Sequence, residues 1–144
     1  MGCFPNAGVR AIWDLESKGE AVHYQETVIW NKAVRLAEKV CLISTKLPDT
    51  EKFGVRLQLT RAAISVASNT AEGWARESKK ERRQFLSIAN GSLAELHTQL
   101  LICERVGWLK GADLSEIKSL IDEVGRMLTV LRKAARLPGR SAIS

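Results

Sequence analysis

The chain has 144 residues, 45% of them hydrophobic and 26% charged, with a formal net charge of +6; that length fits one domain able to bury roughly two thirds of its unfolded surface without a disulfide or metal staple. Its longest apolar runs fall far short of the ~20 residues needed to span a bilayer, and the start of the chain lacks a basic segment followed by an apolar block, so neither membrane insertion nor export is expected. Three widely spaced cysteines, Cys3, Cys41 and Cys103, suit reduced thiols of a cytoplasmic protein better than a disulfide framework or a metal site.

Residues 1–24 are rich in glycine and small residues without a sustained period, and are expected to form a poorly ordered leader. From Thr27 the apolar positions Trp30, Ala33, Val34, Ala37, Val40 and Cys41 recur at helical spacing as far as Leu47-Pro48, which predicts a first helix. Asp49 or Thr50 is the expected cap of a second helix that starts at Glu51, buries Leu57, Ile64, Ala67 and Ala71, and stops around Gly73 in the left-handed conformation. Ser78 and Glu81 have capping-box spacing and open a third helix, whose face of Phe85, Ile88, Ala89, Leu93, Leu96, Leu100 and Cys103 continues to Val106-Gly107. A fourth helix is expected from Asp113 or Ser115, carrying Leu114, Ile117, Leu120, Ile121, Val124, Met127, Leu128 and Leu131. No strand pattern competes. The expected domain spans 25–137, with a flexible tail over 138–144.

Four amphipathic helices joined by short turns predict an all-α, antiparallel up-down-up-down four-helix bundle. In that path the second turn, the start of helix one and the end of helix four share a pole. Arg76, Lys79, Lys80, Arg82 and Arg83 would gather there with Arg132, Lys133 and Arg136. Such a pole is expected to hold RNA or DNA through phosphate contacts with little base specificity, Trp74 being the nearest stacking ring; the plainer alternative is a solvated charged turn.

A second pattern is a polar stripe. At ~100° per residue, Arg61, Ser65, Ser68 and Glu72 fall in one arc of helix two with Asn69 at its edge, and helix three carries Ser92, Glu95 and Gln99 beside Gly91. Arg61, Ser65, Asn69 and Glu72 are expected to meet Ser92, Glu95 and Gln99 in a buried or half-buried network, within the bundle or across a subunit boundary. That network would set register; the sharper alternative is a site for a base or phosphate. Ile29 and Leu59, opposite the expected core, argue for self-association.

From about Val28 to Arg136 the chain resembles the small four-helix-bundle proteins encoded within intervening sequences of bacterial 23S ribosomal RNA genes. The resemblance rests on Val28-Ile29-Trp30-Asn31-Lys32-Ala33, on Arg61, Ala63, Ser65, Asn69, Ala71, Glu72 and Gly73 at their spacing, on Ser78-Lys79-Lys80-Glu81, and on Phe85, Ile88, Ala89, Gly91, Ser92, Glu95 and Leu96. It implies an all-helical fold, a cyclic homo-oligomer that is commonly a pentamer, and no recognised catalytic activity. It also implies an RNA or DNA role, since related bundle proteins serve as accessory subunits of diversity-generating retroelements. Ala67 stands where the family commonly has proline, so helix two is expected to run straighter here.

Catalysis needs converging acids, bases or nucleophiles, and no such set is legible: His23 and His97 stand alone, and no paired metal-ligand spacing or phosphate-cradling glycine loop occurs. No enzyme activity, metal, cofactor or small-molecule substrate is expected. The alternative to a nucleic-acid-binding ring is an oligomeric protein-interaction scaffold whose basic rim meets an acidic or nucleoprotein partner.

Overall fold

The structure is a computed structural model describing residues 23–135; most of the expected leader, the expected tail, Cys3 and Arg136 lie outside the described residues. A 3₁₀ turn at Tyr24–Glu26 precedes α1 (Val28–Ser44), a second at Asp49–Glu51 precedes α2 (Val55–Ala75), and α3 (Lys79–Arg105) and α4 (Gly111–Ala134) complete the path. Each helix packs on its sequence neighbour and α1 packs on α4, which closes the square of an up-down-up-down bundle. The middle of that square is filled by Leu36 and Val40 of α1, Leu59 and Val66 of α2, Leu86 and Leu96 of α3, and Leu114 and Leu128 of α4.

Local chemistry sets most of the ends. Thr27 caps α1: its hydroxyl accepts from the Trp30 N–H at 3.3 Å and donates to the Tyr24 carbonyl at 2.6 Å, so one side chain closes the helix and ties on the preceding turn. Ser78 caps α3, with the Glu81 N–H donating to its hydroxyl at 3.1 Å; the Glu81 carboxylate, expected to complete a capping box, accepts from that same hydroxyl at 2.9 Å. α3 then runs 27 residues, about 40 Å at ~1.5 Å per residue. It stops where Gly107 takes φ 82° and the Trp108 N–H turns back to the Cys103 carbonyl at 2.9 Å.

Other boundaries differ from the sequence reading. Asp49 and Thr50 do not cap α2, because they enter a 3₁₀ turn behind Pro48; Gly54 is the cap residue, and the Glu51 carboxylate accepts from the Val55 N–H at 3.5 Å. α4 begins at Gly111, ahead of Asp113 and Ser115, which leaves Asp113 in the first turn where its charge suits the helix dipole. Gly73 does not end α2. It is a buried helical residue pressed on α3, where an added Cβ would sit 3.1 Å from the Phe85 Cβ and 3.3 Å from the Arg82 carbonyl oxygen. Its missing side chain serves close helix approach rather than a left-handed turn. α2 runs unbroken past Ala67.

The buried face of α2 also departs from the expected one. Leu59, Ala62, Ala63, Val66, Thr70, Gly73 and Trp74 face inward, with Leu59 fully buried, whereas Ile64 remains 51% exposed. Ile29 is likewise buried, so neither Ile29 nor Leu59 supports self-association. The reason is geometric. α2 packs between α1 and α3, and the arc so covered is lined largely by small residues that carry little hydropathy signal. Thr70 is tolerated inside because its hydroxyl donates to the Val66 carbonyl at 2.7 Å. On α3, Leu86 occupies the core while Ile88 is 45% exposed.

Ion pairs clasp α1 to α4. Arg35 and Lys39 each meet Glu116 at 2.8 Å, Lys46 meets Asp113 at 3.2 Å, and Lys32 pairs with Glu123. Hydrogen bonds from Lys39 and then Arg35 hold the Glu116 carboxyl below its ordinary range, and the Lys32 ammonium does the same for Glu123. Each pair is solvent-accessible and contributes little to stability, but together they record the antiparallel register of the two helices.

Candidate nucleic-acid interface

The topology brings the start of α1, the end of α2, the start of α3 and the end of α4 to one pole. The basic residues there divide by what they touch. Arg76 follows α2 directly, pairs with Glu72 at 2.6 Å and lies 4.7 Å from the centre of the Phe85 ring, while the Arg82 Nε donates to the Arg76 carbonyl at 2.5 Å. These two guanidinium groups knit the α2–α3 turn. Lys79, Lys80 and Arg83 are exposed on the first turns of α3, where the lysines oppose the helix dipole and gain nothing locally from their position. Arg132 and Lys133 occupy the last turn of α4, Lys133 exposed and Arg132 half-buried with its Nε lacking a hydrogen-bond partner among the described residues. Arg136 lies outside the described residues.

Trp74 offers no stacking face, being only 5% exposed and part of the core. Other rings stand at this pole. His23 and Tyr24 have centroids 4.3 Å apart at 32°, and Tyr24 meets Trp30 edge-on at 5.4 Å. The sequence reading assigned both His23 and Tyr24 to the leader and so missed them; the signal available was Thr27, a capping residue whose hydroxyl ties the Tyr24 turn to α1.

The polar stripe assembles only in its middle. Ser65 and Ser92 share a hydrogen bond of 2.8 Å between α2 and α3, and the Asn69 amide donates to the Ser65 hydroxyl and carbonyl, both at 2.9 Å. The remaining members do not join it among the described residues. Glu72 turns to Arg76, Gln99 donates to Glu95 at 3.1 Å along its own helix, and Arg61 is exposed with no ion pair among the described residues. A buried pair at Arg61 is therefore not part of the bundle interior. Gly91 is open too: among the described residues, an added Cβ would meet nothing within 4 Å.

Among the described residues, no group of three or more His, Cys, Asp or Glu side chains is arranged to hold a metal ion, and no helix is long and apolar enough to cross a membrane. Cys103 is a buried free thiol whose pKa is pushed up by burial, and Cys41 is a half-buried one.

Comparison with solved structures finds the same fold in a protein from Bacteroides thetaiotaomicron VPI-5482, described as of unknown function and from the S23 ribosomal protein family. The TM-score is 0.69 at 20% identity, over 74% of this chain and 99% of that one. Comparison with curated proteins finds no match. The family model for the 23S rRNA-intervening sequence protein matches residues 25–130, the whole bundle but for its last turn. Sequence match and fold agree, and the chain belongs to the 23S rRNA-intervening sequence protein family.

Proposed function

We propose that this protein is a non-enzymatic, cytoplasmic accessory protein that assembles into a cyclic homo-oligomer, a pentamer as the family resemblance implies, and holds RNA or DNA against a basic rim. The observation that carries the reading is the exposed set Lys79, Lys80, Arg83 and Lys133 at one end of the bundle. Repeated around a ring, such a set turns weak phosphate contacts into avidity. Support for self-association comes from the outer side of α2 and α3, where Ile64 and Ile88 are exposed near Arg61 and the open Gly91. A helical glycine costs ~1 kcal/mol relative to alanine, and nothing among the described residues accounts for this one.

Two measurements test the reading. Light scattering should give a particle of about 80 kDa for five chains of 15.9 kDa, and a monomer at working concentration would sink the ring. Filter binding should show retention of RNA or DNA that weakens steeply with salt, by roughly 10³ between 50 and 200 mM for about six phosphate contacts. No retention at either salt removes the nucleic-acid role and leaves the scaffold reading, in which the rim meets an acidic protein.

A further inference from the structure

We propose that His23 and Tyr24 form a stacking platform for unpaired bases, so that the ligand of the basic pole is single-stranded nucleic acid rather than duplex. This rests on the basic-pole reading above and names its ligand class. The two ring centroids lie 4.3 Å apart with the planes tilted by 32°, Tyr24 is braced edge-on by Trp30 at 5.4 Å, and His23 is exposed while Tyr24 and Trp30 are half-buried.

The platform is held in place before any ligand arrives. The Tyr24 carbonyl accepts from the Thr27 hydroxyl at 2.6 Å and from the Thr27 N–H at 3.0 Å, and Thr27 is buried. The His23 carbonyl accepts from the Glu26 N–H at 2.9 Å, and its ring Nδ1 accepts from the Gln25 N–H at 3.4 Å. Tyr24 also packs against the core. Rings fixed in this way bind a base with little further loss of side-chain freedom.

Cations share the pole with the rings. The Tyr24 turn packs on α1 and α2, at the end of the bundle where α2 leads into Arg76 and where α4 finishes with Arg132 and Lys133. A backbone held by the cations of that pole would leave its bases free to reach the rings. In a duplex the bases are already stacked on one another, so the rings have nothing to accept and only phosphate contacts remain. Loss of one stacked base corresponds to roughly 5- to 150-fold in affinity.

Fluorescence anisotropy on the full chain tests this with a labelled oligothymidylate and a duplex of the same length. His23→Ala and Tyr24→Leu should weaken single-strand binding within that range and leave duplex binding unchanged, while Tyr24→Phe, which keeps the ring, should retain it. His23 is exposed, so His23→Ala should melt with the wild type. Equal affinity for single strand and duplex, insensitive to His23→Ala and Tyr24→Leu, overturns the platform and leaves the basic pole standing. If Lys79→Glu with Lys80→Glu changes neither ligand's binding, or if the wild type binds neither, the basic-pole reading falls and the platform with it.

Discussion

Two glycines on facing helices give a controlled test of how closely α2 and α3 are packed. Gly73→Ala and Gly91→Ala carry the same helix-propensity gain of ~1 kcal/mol, so that gain cancels when the variants are compared. At Gly91 the new methyl meets nothing within 4 Å, and the gain should appear as added stability. At Gly73 it meets the Phe85 Cβ at 3.1 Å and the Arg82 carbonyl oxygen at 3.3 Å, atoms that move only with the α3 backbone, and the Leu86 Cγ at 3.5 Å. Overpacking of this kind costs about 1–3 kcal/mol, which leaves Gly73→Ala between neutral and about 2 kcal/mol less stable than the wild type. The two variants should thus differ by about 1–3 kcal/mol, or ~1 M in urea midpoint for an m-value near 2 kcal/mol/M. The measurement is urea unfolding followed by circular dichroism, at a dilution where all three proteins are monomeric by light scattering, so that no neighbouring copy bears on Gly91. Equal midpoints, or Gly91→Ala as the weaker variant, would refute the packing argument.

At a dilution where the protein is monomeric, Leu59→Ala should cost about 2–5 kcal/mol as a core truncation, and Ile64→Ala no more than about 0.5 kcal/mol as a surface one; denaturation midpoints in the opposite order would reverse the assigned face of α2. In the native protein a thiol reagent should modify Cys41 and spare Cys103, whose buried thiol has a raised pKa, and peptide mass mapping that finds Cys103 modified before unfolding would contradict its burial. Acid should loosen the α1–α4 clasp. The Glu116 and Glu123 pKa values are depressed in the fold, so their contribution is present above the unfolded value of about 4.3 and is lost as pH falls through the folded values. Glu116→Gln with Glu123→Gln should therefore lower stability at neutral pH and flatten its decline in acid, and a decline as steep as the wild type's would rule the clasp out as its source.

Much of the architecture was legible because amphipathic repeats longer than four turns on α3 and α4 admit one reading, and because Ser78, Glu81 and Gly107 mark their ends by local chemistry alone. The candidate site was legible only as composition. Lys79, Lys80 and Arg83 stood out as a charge run, but the engagement of Arg76 with Glu72 and Phe85, and of Arg82 with the Arg76 carbonyl, depends on a turn geometry that spacing does not specify. The polar stripe illustrates the same limit: wheel arithmetic groups residues on one helix, whereas the Ser65–Ser92 hydrogen bond and the exposure of Arg61 depend on how α2 and α3 are turned toward each other.

What the sequence by itself determined is the number, order and amphipathic character of the helices, the capping of α3 and the charge gathered at one pole, since these follow from the 3.6-residue period and from groups within a few positions of one another. Tertiary structure alone decided which arc of α2 is buried, why Gly73 carries no side chain, and that the His23 and Tyr24 rings meet at the basic pole of the bundle. Those outcomes depend on contacts between residues far apart in the chain, where a small residue's value lies in how near it lets another helix come.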